Sequence, residues 1–182
     1  MSKRLTIVIC LCLCLGACSL LNSGANRAFP LLLLPPVNGP ESAIYKQRLE
    51  LESETNFSKL LVVLKIDKSE IKLRGLLPTG QSVYALDYDG QNLNHQSFGG
   101  NELPAQDILS MLQFALWPES AIRQYYQQDE GWLLEIKPKY RLLSLNGSIK
   151  LRVDYLADQQ LMLENYAHQY KVKIETLEYK RL

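Results

Sequence analysis

Past position 18 this chain of 182 residues has no cysteine, and it has only two histidines anywhere, His95 and His168. Cys10, Cys12, Cys14 and Cys18 all sit at the start. A folded body downstream of them therefore has no disulfide framework. No cysteine or second histidine stands at the spacing a metal centre needs. An excess of one charge is also lacking. The 20 Lys and Arg against 19 Asp and Glu give a formal net charge of +1, which supplies no basic footprint for nucleic acid. After Cys18 no apolar run is long enough to cross a bilayer as a helix. No glycine-rich phosphate loop follows a strand and opens a helix, and no nucleophile-elbow pattern flanks a serine. Asp87 and Asp89 form a carboxylate pair beside a turn, where such residues are commonly just solvated. The expectation is a noncatalytic chain with no metal and no cofactor.

What is present begins at the N-terminus. Ser2-Lys3-Arg4 is a positive start, Leu5 to Leu15 is a nearly unbroken apolar run, and Leu15-Gly16-Ala17-Cys18 resembles a lipobox. A run this short, with small residues behind it, is a secretion signal and not a membrane span. The expectation is a signal peptide over residues 1–17, removed ahead of Cys18, whose thiol would take a diacylglycerol thioether. Bacterial lipoproteins typically carry three acyl chains, palmitate among them. One chain binds a membrane only marginally, and two or more hold it. Ser19, where an aspartate would retain the protein in the inner membrane, points to the periplasmic face of the outer membrane. Residues 18–28 read as a lipidated tether, small and polar from Ser19 to Asn26, and residues 29–182 as one domain. Loss of Lys3 and Arg4 with the leader leaves the charge close to zero.

With 47% hydrophobic residues the chain can bury a core. Phe29-Pro30-Leu31-Leu32-Leu33-Leu34-Pro35-Pro36 has two readings. It is an apolar edge segment packed on the domain, with prolines blocking further pairing, or an exposed strip that touches a membrane or partner. From Tyr45 the period is two. Leu49 and Leu51 alternate with Arg48, Glu50 and Glu52, and Ile71 and Leu73 with Lys72 and Arg74. The same pattern returns in Tyr84-Leu86-Tyr88, Trp132-Leu134-Ile136, Ile149-Leu151-Val153-Tyr155 and Tyr170-Val172-Ile174, each taken at alternate positions. These are strands with one wet face. Leu60 to Ile66 is nearly continuous and predicts a strand covered on both faces. Asp89-Gly90 and Asn146-Gly147 are hairpin turns, and such close spacing predicts an antiparallel meander. His168, near a strand start, reads as a surface or capping residue.

Between Gly99-Gly100 and Trp132 the period is helical. Pro104 suits a first helical turn. Ile108, Met111, Leu112 and Ala115 share a face, widened by Leu109, Leu116 and Trp117. After Pro118, the residues Ala121, Ile122, Tyr125 and Tyr126 give a second short amphipathic helix. Eight to ten twisted strands carry an apolar face that two short helices cover only in part. Either side chains fill the barrel, or an apolar cavity of lipid size persists beneath a helical lid.

The order of elements resembles the periplasmic lipoprotein carriers LolA and LolB, over roughly Tyr45 to Tyr179. The residues that carry it are the Pro78-Thr79-Gly80-Gln81-Ser82 loop before a strand, a leucine-rich helix from Asp107 to Trp117, and Ala121-Ile122-Arg123-Gln124-Tyr125. Tyr140-Arg141-Leu142, an Asn-Gly turn and a last strand rich in Lys and Ile complete the pattern. More narrowly, Asp87-Tyr88-Asp89-Gly90 and Leu116-Trp117-Pro118 resemble a bacterial lipoprotein family, a domain of unknown function often found in aryl-polyene gene clusters. The resemblance implies a mainly β fold with a short helical lid, α+β in class: a half-open antiparallel β-barrel. It implies an outer-membrane lipoprotein that noncatalytically binds or transfers an acyl or polyene chain, with a periplasmic lipoprotein carrier as a candidate partner. Ile108, Leu112 and Trp117 from the lid would face Leu151 and Val153 across the cavity. Leu76 and Leu77 would stand in the loop where LolB exposes a leucine, Thr79 holding that leucine's own place. The rival expectation is a structural lipoprotein with a filled barrel that docks on an envelope assembly.

Overall fold

The computed structural model describes residues 31–54, 57–98, 105–157 and 159–182. The expected signal peptide, Cys18 and the tether lie outside the described residues, as do Phe29, Pro30, Gly99, Gly100 and Pro104. Ten strands form one antiparallel sheet: β1 (Ala43–Ser53), β2 (Phe57–Ile66), β3 (Ile71–Leu76), β4 (Ser82–Tyr88), β5 (Leu93–Ser97), β6 (Trp132–Lys137), β7 (Tyr140–Leu145), β8 (Ser148–Ala157), β9 (Gln160–Asn165) and β10 (Tyr170–Arg181). Their spatial order is β5-β4-β3-β2-β1-β10-β9-β8-β7-β6. Two five-stranded meanders are thus sewn together in the middle by their first and last strands. The outer edges, β5 and β6, do not pair with each other. The helices α1 (Ala105–Leu116) and α2 (Glu119–Tyr125) fall in the connection between those edges. The result is the half-open antiparallel barrel with a helical lid that the sequence implied.

Alternation fixes which face of each strand turns inward, and charge fixes the register of the central pair. Arg48 lies opposite Glu175, Lys46 opposite Glu178 and Glu50 opposite Lys173. The first two close at 2.8 and 2.7 Å on the outer face. Glu50 also meets Lys59 of β2 at 2.9 Å. Exposed pairs of this kind add little stability, but a one-residue slip would turn the leucines outward, and a two-residue slip would set Arg48 against Lys173 or Glu50 against Glu175. Register irregularities at Lys46/Gln47, Gly75/Leu76, Leu143/Ser144 and Tyr155/Ala157 supply the local twist that lets the sheet curl. Asn146 and Gly147 take φ of 50° and 78°, the left-handed pair a two-residue hairpin demands.

β2 corrects one expectation. Val62, Leu64 and Ile66 are buried, while Leu61, Val63 and Lys65 are half-exposed. The strand has one dry face like its neighbours. β9, which the alternation analysis did not single out, has Leu163 and Asn165 buried.

The described part of the apolar strip, residues 31–36, is buried or half-buried, and it pairs with helices where a sheet edge was expected. Leu31 and Leu34 are buried. The amide N–H of Leu34 donates to Gln113 Oε1 at 2.8 Å, and Gln113 Nε2 donates back to the Leu34 carbonyl at 2.6 Å. Gln106 Nε2 donates to the Leu31 carbonyl at 3.0 Å, and Tyr126 Oη serves both the N–H and the carbonyl of Leu32 at 3.1 and 3.3 Å. These side chains answer the backbone of an extended segment as a neighbouring strand would. Gln106 and Gln113 are seven residues apart and share one face of α1. Ile108, Met111 and Leu112 lie on the opposite face, toward the sheet. Buried on both sides, α1 keeps even its polar residues Asp107, Ser110 and Gln113 from solvent.

Candidate functional site

Two kinds of interior meet α1. Around its C-terminal half the packing is tight. Phe114 and Trp117 are fully buried, and Tyr126 stands edge-on to both Phe114 and Trp132, with ring centroids 6.1 and 5.0 Å apart. A Cβ at Gly39 would come within 2.9 Å of the Trp117 ring and of the Pro36 carbonyl, so only glycine lets the chain cross there. Arg141 of β7 donates to the carbonyls of Phe114 and Trp117 at 2.7 and 2.8 Å, and Tyr155 of β8 donates to that of Ala115 at 2.8 Å. These donors close off the helix end, where unpaired carbonyls and the negative end of the dipole both favour a cation.

Around its N-terminal half α1 faces a void. Ile108, Met111 and Leu112 line one side, and Leu49, Leu51, Leu60, Val62, Leu73, Leu163, Val172 and Ile174 line the other. The cavity volume is about 50 Å³. It is a narrow slot, and apolar slots stay dry. Leu49, Leu51, Ser58, Leu60 and Ile108 are the half-exposed members of the wall and form its rim. The small residues of the wall are Ser58 and Gly75. A Cβ at Gly75 would sit 3.1 Å from Tyr84 Cβ, so the missing side chain there lets the Tyr84 ring lie close to β3.

Two tyrosines reach this wall. Tyr170 Oη meets Met111 Sδ at 3.0 Å and Asn165 Nδ2 at 3.4 Å, which ties β10 to α1 beneath the slot. Burial raises its hydroxyl pKa. Tyr84 Oη is buried and has no hydrogen-bond partner among the described residues, and burial pushes it up to about 12. Just outside the wall, His168 Nε2 lies 2.8 Å from Asp107 Oδ2. Asp107, in the first turn of α1, is buried. Desolvation raises its carboxyl pKa and the nearby His168 opposes that rise. His168 thus clamps α1 to the β9–β10 turn, a long-range role beyond the surface or capping one expected.

Of the cavity residues expected from the sequence, Ile108 and Leu112 belong to the slot's wall. Trp117, Leu151 and Val153 are fully buried and do not line it. Leu76 is the last residue of β3 and Leu77 opens the following turn, both half-buried, while the tip exposes Pro78, Thr79 and Gly80. Asp87 and Asp89 do not act as a pair. Asp87 takes Arg74 through both oxygens at 2.8 and 3.0 Å. Asp89 accepts from Asn92 and from the amides of Gln91 and Asn92, which hold its carboxyl down to about 2. Among the described residues no three His, Cys, Asp or Glu side chains group as metal ligands would. The wall residues Leu49 and Leu51 carried a signal, their strand alternation, but nothing local says which end of α1 they lie under.

No curated protein matches the chain. Among solved structures it is similar to the crystal structure of an outer membrane lipoprotein-sorting protein domain from Vibrio parahaemolyticus. That similarity has 10% sequence identity and a TM-score of 0.41, covering 78% of this chain and 85% of that one. A family model described as "Protein of unknown function (DUF3261)" matches residues 45–178. The matched span starts two residues into β1 and runs into β10, taking in both helices and the whole slot. On that match the chain belongs to the DUF3261 family.

Proposed function

We propose that this protein is a noncatalytic carrier or acceptor of an acyl-type hydrocarbon chain, anchored through lipidated Cys18 at the periplasmic face of the outer membrane. The observation that carries the reading is the slot: an apolar opening left beneath a helix. A filled interior would be the simpler way to stabilise this fold, since side chains that face a void forfeit dispersion contacts. Transfer follows from the same surface. A chain that passes from one apolar slot to another avoids exposing its methylenes to water, at about 0.8 kcal/mol each.

The test is mass spectrometry of hydrophobic species that copurify with the full chain carrying Cys18→Ser, compared with the same chain carrying Leu60→Glu. Leu60 is half-exposed on the rim, so the charge can be solvated without unfolding the domain. A long-chain species bound to the first and lost from the second supports the reading. If neither protein carries or takes up such a chain, the carrier reading falls and the docking lipoprotein takes its place.

A further inference from the structure

The barrel has two distinct ends. The turns after β1, β3 and β9 lie at one, and those after β2, β4 and β8 at the other. The slot opens at the first. Its rim residues Leu51 and Ser58 flank the β1–β2 turn, and Ile108 sits in the first turn of α1. The neighbouring Asp107 meets His168 of the β9–β10 turn. The strap along α1 runs from this end to the other. Its Leu31 carbonyl accepts from Gln106 in the first turn of the helix, and Leu34 is held by Gln113 two turns later. Farther along, Lys68 of the β2–β3 turn donates to the carbonyls of Gly39 and Pro40 at 2.9 and 3.1 Å. Pro36 packs beside Gly90 of the β4–β5 turn, where an added Cβ would come within 3.1 Å of its ring. The chain on the N-terminal side of Leu31 therefore leaves the folded body beside the slot's mouth.

That point of departure limits what an anchor can present to a membrane. Cys18 stands 13 positions before Leu31, and a stretch of that length spans at most about 45 Å however it folds. β10 runs from the mouth end to the other and has 12 residues, about 40 Å at strand rise. To turn the far end toward lipid, the tether would have to reach back along nearly the whole body, close to full extension. With the mouth end toward lipid, no such stretch is needed. Large exposed apolar side chains stand at both ends, Phe57 and Phe98 at the mouth, Tyr179 and Leu182 opposite. Exposure alone does not choose between the ends; the tether does.

Resting on the reading of Cys18 as a lipid anchor, we infer that the mouth end of the barrel is the surface that meets the anchoring membrane. Its partner is lipid, in the same leaflet that holds the Cys18 acyl chains. The slot then exchanges its hydrocarbon chain with that leaflet directly, which keeps the methylenes out of water along the way.

The experiment uses the full chain, lipidated at Cys18, without added ligand. It is reconstituted in phosphatidylethanolamine–phosphatidylglycerol vesicles that carry a spin-labelled lipid as quencher. A fluorophore is placed on Glu54→Cys, exposed after β1, or on Gln91→Cys, exposed in the β4–β5 turn. The acylated Cys18 thiol does not take the label. Fluorescence is expected to be lost at position 54 and kept at 91, because contact quenching does not reach the length of the barrel. Equal quenching at both sites, or stronger quenching at 91, overturns the inference and leaves the acyl-chain reading standing, since that reading is tested on Cys18→Ser protein. Quenching at neither site also overturns it and turns the mouth toward a soluble partner. Failure of the full chain to float with the vesicles overturns the anchor reading and this inference together.

Discussion

At the C-terminal half of α1, Phe114, Trp117, Tyr126 and Trp132 interlock, and Arg141 and Tyr155 close the helix end with hydrogen bonds. At the N-terminal half, Ile108, Met111 and Leu112 look across empty space toward β1, β2 and β10. Both regions are rich in apolar side chains, so the void is not a shortage of them. The difference lies in size and in ties. Aromatic rings fill the first region. The second has Gly75 and Ser58 in its wall, and α1 is held beside it by a clamp to the β9–β10 turn and a sulfur contact to Tyr170. Stability and vacancy are therefore separated along a single helix, which lets one end anchor the fold while the other leaves room for a guest.

The comparison breaks most visibly if large-to-small changes cost the same at both ends. Phe114→Ala removes a fully buried ring from the packed end and should destabilise by about 3–5 kcal/mol. Leu60→Ala trims a half-exposed rim residue that already borders the slot and should cost about 1 kcal/mol or less, because little new cavity is made. Urea unfolding of the two variants checks this. Equal losses would mean the slot is closed in solution.

Gln113→Leu comes next. It keeps the helix and its volume but leaves the N–H and carbonyl of Leu34 without partners. Each orphaned backbone group costs about 1–3 kcal/mol, so a loss of about 2–4 kcal/mol is expected by the same urea measurement, together with protease cleavage within residues 31–38. A variant that keeps its stability would show that the strap is dispensable to the packed end.

The strands and both helices were legible because their signals are local. Arg48, Glu50 and Glu52 against Leu49 and Leu51 give a strand wherever it is placed, and Asn146-Gly147 gives a hairpin. β9 was harder, since Leu161, Met162 and Leu163 are consecutive and hide the alternation that burial of Leu163 and Asn165 reveals. The site was half legible for a related reason. Ile108 and Leu112 were readable from the helical face, but their partners depend on sheet order. The expected partners, Leu151 and Val153, do alternate inward, but Val153 lies beside the wall residue Leu163 and Leu151 beside Asn165, so β8 stands one strand beyond the wall. Only the pairing of β1 with β10 brings β1 and β2 under the N-terminal half of α1. The Asp107–His168 clamp spans a separation in sequence that no periodicity encodes.

A finer probe of the hollow end is that clamp's response to pH. Burial raises the Asp107 carboxyl above its ordinary value of 3.8, and His168 only partly opposes it. The folded protein therefore holds this proton to a higher pH than the unfolded chain does. The contribution is fully present below pH 3.8, where both states are protonated, and is lost as pH rises through the native value. Asp107→Asn removes the titration and keeps an oxygen to accept from His168 Nε2. The melting temperature of the parent minus that of the variant should fall as pH climbs from about 3 to about 6. A difference that grows with pH would mean that attraction to protonated His168 outweighs desolvation. The clamp would then be an ion pair holding α1 down over the slot as firmly as the hydrogen bonds hold its other end.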